Sequence, residues 1–354
     1  MTRPTERNRC ALLSLTTCIL LVGSSARGQN APSATLPPGV TPETKAAIDR
    51  GLEYLVRMQS RRGSWANREG YGAYPVAMTA LAGTALLMDG NTTTQGRYAP
   101  QVDRALRYIL DSSTSSGLIA RGDGEGRPMY GHGFSMLFLG QLYGMTESPA
   151  RNRAIHDVLS RAIQLTARSQ SPWGGWIYTP DAGADEGSVT ITQVQGLRSC
   201  RNAGVAVPAS VINSAMDYLA KSQNSDGGIR YSLSQRAGGS RPPITAAAVC
   251  CWFNAGEYDN PRAMQALEFC KQLIQPVHYV GGHYYYAHLY FSQALWVSHD
   301  PYWDAYYPEI RDQLLRMQQS DGSWLGDGAG RIYGTAVALI ILQLPFNQLP
   351  IMQQ

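Results

Sequence analysis

The sequence predicts an all-α protein, an (α/α)6 toroid barrel in which six helix-pair repeats close into a ring. The pattern Gln-x-x-x-Gly-x-Trp occurs three times, and a fourth copy lacks only the tryptophan. The helices predicted between the copies alternate between amphipathic and wholly apolar, as two concentric rings require. The residues of the pattern are Gln59, Gly63, Trp65, Gln170, Gly174, Trp176, Gln318, Gly322 and Trp324, with Gln223 and Gly227 in the fourth copy.

The spacing of the copies sets the number of repeats. Gln170 and Gln223 lie 53 residues apart, whereas Gln59 and Gln170 lie 111 apart and the interval after Gln223 is 95 residues. Each long interval therefore accommodates one further unit whose motif has diverged. Residues 98–145 and 260–298 each have the order helix, glycine-rich loop, helix, which brings the total to six units.

The first helix of each unit is predicted to be amphipathic. In the first unit Ile48, Leu52, Leu55 and Met58 form a stripe at helical spacing, and the other faces carry charged side chains. Similar stripes recur in the other five units. These helices therefore have one face toward water and form the outer ring.

The second helices are apolar on nearly every face and rich in alanine and glycine. A helix that is apolar all round is buried all round, so these helices form the inner ring. The clearest examples are the predicted helices 75–88, 134–145, 244–255 and 334–344. The third inner helix breaks the rule, because it carries the polar residues Thr190, Thr192, Gln193, Gln195, Arg198 and Arg201.

The repeated phrase carries a resemblance to a known superfamily. The segment from Tyr54 to Trp65 resembles the QW repeat of squalene and oxidosqualene cyclases, whose toroid protein prenyltransferase β subunits also use. Over about residues 42–345 the chain is most similar to the single-barrel, secreted prenyltransferase/squalene oxidase repeat proteins of bacteria. Tyr130-Gly-His132-Gly-Phe and Gly174-Gly-Trp176-Ile-Tyr178 are similar to phrases typical of that group. The resemblance implies the toroid fold and leaves the activity open.

The catalytic motifs of the superfamily are absent from this chain. It has no Asp-x-Asp-Asp protonation motif, no Asp-Asp-x-x-Asp magnesium motif, no Asp-x-Cys zinc pair and no Gly-Cys-Gly-Glu-Gln thioester motif. None of the superfamily's catalytic residues can therefore be assigned to a position here, and we expect no cofactor.

The chain divides into three predicted segments. Residues 1–26 have the order of a secretory signal peptide, with arginines, then a twelve-residue apolar run, then small residues up to a cleavage site near Ala26. The run is too short to span a bilayer, although an uncleaved anchor is the alternative. Residues 27–41 are expected to be a flexible lead-in and 42–354 a single toroid domain. We therefore expect a secreted or periplasmic protein without a membrane span after processing.

The net charge bears on the class of partner, and the cysteine content bears on disulfide formation. The net charge of +4 is small and dispersed, which argues against a nucleic-acid partner. Four cysteines lie beyond the signal peptide. Secretion permits disulfides, but we expect buried free thiols because cysteine is commonly buried in helices. They are Cys200, Cys250, Cys251 and Cys270.

Candidate binding residues lie just before or at the start of the inner helices. Repeated helices begin at one level, so these side chains should surround one mouth of the barrel. Helix N-termini and arginines there favour an anionic or polyhydroxyl small molecule, and the family resemblance adds an isoprenoid. The alternative is that these residues only tie loops together. The candidates are Tyr74, Arg127, Tyr130, His132, Asp185, Glu186, His283, Tyr286, His288 and Tyr333.

A metal site at this mouth is the weaker interpretation. His283 and His288 are five residues apart, which is not the spacing of a helical zinc pair, and the other candidate ligands come from other units. We expect these histidines to be hydrogen-bonded and to bind no metal. Two function classes remain: a ligand-binding module, or a diverged prenyltransferase-, terpene cyclase- or saccharide-active enzyme with Asp185 or Glu186 as acid and His132 as base.

Overall fold

The computed structural model describes residues 36–122, 125–235 and 238–353. In this part of the chain the secondary structure is helical, with twelve α-helices, two short 3-10 turns and no strand beyond four isolated bridges. The predicted signal peptide, residues 1–26, and most of the predicted lead-in lie outside the described residues. The predicted all-α class and the pairing of helices into six units are confirmed.

The odd-numbered helices form the outer ring. Each has a buried stripe and an exposed charged face, as the amphipathic patterns predict. A proline in the first turn starts four of the six, where the missing amide hydrogen costs no helical hydrogen bond. The outer helices are α1 (Pro42–Met58), α3 (Ala99–Leu110), α5 (Pro149–Arg168), α7 (Ala209–Ser222), α9 (Pro261–Leu273) and α11 (Trp303–Met317).

The even-numbered helices form the inner ring and are buried along almost their whole length. Each packs against the next, and the last packs against the first, so the ring closes. Three begin earlier than predicted, the second inner helix by six residues, the fourth by two and the sixth by three, because their starts follow Pro128, Pro242 and Gly330 and not the start of the apolar run. The inner helices are α2 (Pro75–Met88), α4 (Pro128–Leu142), α6 (Gly187–Asn202), α8 (Pro242–Asn254), α10 (Tyr284–Val297) and α12 (Arg331–Gln343).

The motif glutamines join each unit to the next. The side-chain amide of Gln170 donates to the carbonyl of Gly174 in its own loop (2.8 Å) and to that of Val211 in the next outer helix (2.9 Å). Gln59, Gln223 and Gln318 make the same two bonds in their units. Each glutamine therefore fixes the position of the following unit.

The motif glycines allow the loop to approach the next outer helix closely. Gly174 has a φ of +96°, and a β-carbon there would lie 2.1 Å from the carbonyl oxygen of Ser214. Gly63, Gly227 and Gly322 have the same conformation and the same kind of contact. The diverged second unit keeps this feature at Gly117, although Ser113 stands in the glutamine position.

The motif tryptophans lock the two helices of a unit together. The indole N–H of Trp176 donates to the carbonyl of Thr166 on α5 (2.7 Å), and its backbone N–H donates to the hydroxyl of Thr190 on α6 (3.0 Å). Trp65 and Trp324 do the same, with Thr79 and Thr335 as the hydroxyl partners. All three indoles are fully buried.

The chain ends across the carboxyl ends of the inner helices. The 3-10 turns Leu344–Phe346 and Pro350–Met352 contact α6, α10 and α12, and the amide of Ile351 donates to the side chain of Gln141 on α4 (3.4 Å). This C-terminal segment covers the end of the ring opposite the predicted mouth. Among the described residues, no helix combines the length and apolarity that a bilayer crossing needs.

The four cysteines beyond the predicted signal peptide, Cys200, Cys250, Cys251 and Cys270, are buried and unpaired. Burial raises the pKa of each thiol, so they are neutral at physiological pH. They act as small apolar side chains between helices, as expected from the sequence.

Candidate functional site

Three inner helices bring polar side chains together at the mouth of the ring. The hydroxyl of Tyr130 on α4 lies 2.6 Å from the hydroxyl of Ser188 on α6, which in turn lies 2.7 Å from a carboxylate oxygen of Glu186. From α10, Tyr286 donates to the carbonyl of Ser188 (3.4 Å). An ionised carboxylate only accepts, so the chain of donors runs from Tyr130 through Ser188 to Glu186.

Two tyrosines from the interhelical loops extend this group toward solvent. The hydroxyls of Tyr178 and Tyr231 share a short hydrogen bond. The guanidinium of Arg127 lies 4.2 Å from the ring centroid of Tyr178, and the ring of Tyr130 is 5.9 Å from the same centroid. Arg127 is exposed, so it stands at the outer edge.

We call this group of side chains the tyrosine mouth. It consists of tyrosines from five consecutive units together with a carboxylate and a serine hydroxyl. Burial raises the pKa of the phenols above the ordinary value, so they remain protonated hydrogen-bond donors. Its residues are Tyr130, Tyr178, Glu186, Ser188, Tyr231, Tyr286 and Tyr333.

Glu186 contributes a carboxylate to the tyrosine mouth. It caps α6, where its oxygens accept hydrogen bonds from the amides of Ser188 (3.0 Å) and Val189 (2.9 Å). Burial raises its pKa, and these hydrogen bonds and the charge of Arg127 oppose the rise. The carboxyl group therefore keeps its proton up to a higher pH than an ordinary glutamate does.

The helix N-termini at this end are occupied by carboxylates, contrary to the positive mouth that the sequence suggests. Glu125 accepts from the amide of Val76 on α2 (2.6 Å), and Asp327 accepts from the amide of Tyr285 on α10 (2.6 Å). Burial raises the pKa of both. With Glu186 on α6, three of the six N-termini are already neutralised from within the protein.

His132 does not reach the tyrosine mouth, so its assignment as a binding residue or base is wrong. Its Nδ1 accepts from the amide of Ile119 (3.2 Å), and its Nε2 pairs with the hydroxyl of Thr166 (3.0 Å). The bond to Ile119 is the one that Thr79 and Thr190 make in their own units. His132 is thus the second unit's version of the structural threonine.

His288 on α10 is also turned away from the mouth, toward the outer helix α11. It is fully buried, its Nδ1 pairs with the hydroxyl of Tyr306 (2.7 Å), and the ring of Tyr284 lies 4.2 Å away. Burial lowers its pKa to about 3, and that of His132 to about 4. Both imidazoles are neutral structural groups at physiological pH.

The remaining candidates lie at the periphery. Both carboxylate oxygens of Asp185 accept backbone amides, from Leu233 and Ser234 (2.8 Å each), so this residue holds a loop. His283 and Tyr74 precede α10 and α2 in left-handed backbone conformation. His283 is exposed and Tyr74 half-buried.

Across the described residues, no group of three His, Cys, Asp or Glu side chains is arranged to hold a metal ion.

Sequence reasoning missed several residues that shape this site. Tyr178 follows Trp176 by two positions, and Tyr231 follows Ile229, the residue in the tryptophan position of the next unit, by the same two. Aligning the repeats on this position predicts that these tyrosines are neighbours. No comparable signal exists for Glu125 or Asp327, since each caps a helix of a different unit across a loop of irregular length.

The chain was compared with known families, sequences and structures. No protein-family model matches it, and no curated protein sequence matches it. The structural matches include a variant of the type II terpene cyclase MstE from Scytonema, with 15% identity and a TM-score of 0.60 over 85% of this chain and 96% of that one. Another variant of that cyclase, in complex with geranylgeranyl dihydroxybenzoate, matches with 16% identity and a TM-score of 0.57 over 85% and 97%.

A second enzyme class matches equally well. The GH76A α-1,6-mannanase of Salegentibacter has 9% identity and a TM-score of 0.62 over 85% of this chain and 98% of that one. An inactive variant of it was solved in complex with α-1,6-mannotriose, at a TM-score of 0.59 over the same shares. At such low identities the matches identify only the fold. The chain therefore has the all-helical α/α-toroid fold that these cyclase and mannanase structures share.

Proposed function

We propose that this protein is an exported binding module that takes a neutral polyhydroxyl ligand, such as an oligosaccharide, at the tyrosine mouth. The observation that carries the proposal is the convergence of phenol hydroxyls from separate repeats, with Tyr130 and Tyr286 both reaching Ser188 and Tyr178 reaching Tyr231. Each phenol offers a donor, an acceptor and an apolar ring face. A sugar presents hydroxyls and an apolar C–H face, which match both.

The charges at this end of the ring favour a neutral ligand over an anion. Glu125, Glu186 and Asp327 already occupy three helix N-termini, whereas Arg127 is exposed and stacks on Tyr178. An anion entering the mouth would face Glu186 without a free helix N-terminus beneath it. A neutral polyol avoids that repulsion and can still bond to the phenols.

The polar lining also favours a polyol over an isoprenoid. The hydroxyls of Tyr130, Tyr178 and Tyr286 are already paired within the protein, but each keeps further hydrogen-bonding capacity that a polyol can use and an isoprenoid chain cannot. The mannanase complex supports the proposal to the extent that one protein of this fold binds α-1,6-mannotriose. The cyclase complex supports the isoprenoid alternative in the same way.

A diverged enzyme is the second candidate, and the burial of Glu186 beside Ser188 and Tyr130 is the observation in its favour. A buried carboxyl group with a raised pKa, linked through Ser188 to Tyr130, is a suitable general acid for a saccharide or isoprenoid substrate. His132 cannot be its base partner, because both of its imidazole nitrogens are hydrogen-bonded, one to the amide of Ile119 and the other to the hydroxyl of Thr166.

Export remains part of the proposal. The arginines, apolar run and small residues of segment 1–26 have the order of a cleavable signal peptide. Free thiols do not conflict with an oxidising compartment here, because all four are buried.

Binding can be tested by titrating the purified protein with α-1,6-mannotriose and, separately, with geranylgeraniol. We expect saturable binding of the trisaccharide. Replacing Tyr178 by Phe removes one hydroxyl and keeps the ring, so affinity should fall about three- to ten-fold. Tyr258→Phe is the control, because Tyr258 is exposed and outside the mouth. Saturable binding of geranylgeraniol without the trisaccharide, or equal effects of the two variants, would contradict the proposal. Turnover of either compound would favour the enzyme.

A further inference from the structure

A recess lies at the opposite end of the ring from the tyrosine mouth. It has a volume of about 400 Å³ and is bounded by the carboxyl end of α10, the start of α11, segment 38–39 and Pro345. This size is within the range of small-molecule sites. We call it the outer groove and define it by Pro38, Trp296, Asp300, Trp303, Asp304 and Tyr307.

Aromatic rings form one corner of the outer groove. The ring centroids of Trp296 and Trp303 are 5.1 Å apart with planes tilted by 55°. Tyr307 stacks on Trp303 at 4.7 Å and is anchored by donating its hydroxyl to the carbonyl of Leu342 (2.9 Å). Both indoles are half-buried, so the corner is rigid and still reachable from solvent.

One carboxylate beside this corner has no counter-charge. Asp300 is paired with the ammonium of Lys271 (2.9 Å) and accepts the amide of Tyr302 (2.8 Å). Asp304 is exposed in the first turn of α11, and within the described residues its side chain has neither a hydrogen bond nor an ion pair. The groove therefore carries the carboxylate of Asp304, which has no side-chain ion-pair partner among the described residues, next to two electron-rich rings.

We propose that the outer groove binds a methylated ammonium group, such as the trimethylammonium of choline. A cation over an indole face is attracted by the negative face of the ring, and Asp304 adds a direct charge interaction. A methylated ammonium has no N–H donors and needs no further acceptors, whereas a bare ammonium would need several acceptors to replace its water. The methyl groups can pack on Pro38 and Pro345. This inference does not depend on the proposed function of the tyrosine mouth.

The test compares choline with its neutral isostere 3,3-dimethyl-1-butanol, by saturation-transfer NMR and titration of the full-length protein. We expect the dissociation constant of choline to be about ten-fold lower than that of the isostere. Asp304→Asn should weaken choline binding about three-fold or more and leave binding of the isostere unchanged. Asp259→Asn is the matched control, since Asp259 is exposed and outside the groove.

Three results would overturn the inference. They are equal affinity for choline and its isostere, no choline signal that depends on Asp304, and binding of a sugar such as methyl mannoside in place of choline at the groove. If choline binds, competition with phosphatidylcholine vesicles, with phosphatidylglycerol vesicles as comparison, distinguishes a lipid headgroup from a soluble ligand. Both sources fit the chemistry of the groove. Thermal unfolding of Asp304→Asn should match that of the wild type within a few degrees, because the substituted side chain is exposed.

Discussion

Replacing His132 by Ala should destabilise the ring and leave ligand binding at the tyrosine mouth intact. The change leaves the amide of Ile119 buried without an acceptor, removes the bond to Thr166 and opens a cavity at a fully buried site. Together these losses should cost about 3–5 kcal/mol. Urea denaturation at pH 7.5 measures this as a lower transition midpoint with an unchanged slope.

The pH dependence of the unfolding free energy gives a second, independent test of the same substitution. Burial lowers the pKa of His132 to about 4 from an ordinary value of 6.5, so the unfolded chain binds the proton more tightly than the folded one. Its stabilising contribution is therefore complete above pH 6.5 and is lost as pH falls toward 4. At about 1.4 kcal/mol per pKa unit, the wild type should lose about 3 kcal/mol over this window through His132 alone.

The variant lacks this titration, so the difference in unfolding free energy between wild type and His132→Ala should shrink between pH 7.5 and pH 4.5. His288 titrates in the same direction in both proteins and cancels from the comparison. A difference that stays constant with pH would refute the structural role argued for His132. So would a variant of wild-type stability that no longer binds α-1,6-mannotriose.

Three further predictions concern the repeat and the leader. Gly174→Ala should lower the free energy of unfolding by several kcal/mol, since the new β-carbon would overlap the carbonyl of Ser214. Gly204 has a similar φ of +82° but lies in open space, so Gly204→Ala should lower it by about 1 kcal/mol. Thermal unfolding compares the two variants. Gln170→Ala removes two hydrogen bonds and should lower the unfolding free energy by about 1–3 kcal/mol, measured in urea. Residues 1–30 should direct a reporter out of the cytoplasm with cleavage near Ala26, and an exported fusion that retains Met1 would contradict cleavage.

The repeat made the fold predictable from the sequence, because each motif residue has one structural task that recurs. A glutamine that bridges to the next unit, a glycine at positive φ and a buried tryptophan are required wherever the loop meets the following helix. The diverged second unit was predicted from spacing alone, and its Gly117 retains the backbone geometry. The motif recurs in the loops and not at the starts of the inner helices. The sequence therefore predicts which segments are helical better than it predicts where each inner helix begins.

The candidate site was predicted only in part, and the errors have a common cause. His132 and His288 were selected as residue types that carry chemistry. His132 instead takes the hydrogen-bonding position of Thr79 and Thr190, and His288 pairs with Tyr306 on an outer helix. Tyr130, Glu186 and Tyr286 do meet at one mouth. The capping roles of Glu125 and Asp327 were not foreseeable, because each caps a helix of a neighbouring unit.

Because the ring closes, this chain should tolerate circular permutation in a way that open repeat arrays do not. The last motif copy binds the first helix, where Gln318 donates to the carbonyl of Ala47 and Gly322 packs against the backbone of Arg50. No unit is therefore a terminal cap, and each has a neighbour on both sides. Circular permutants with new termini in an exposed inter-unit loop should fold, whereas deletion of any one unit should unfold the whole ring cooperatively.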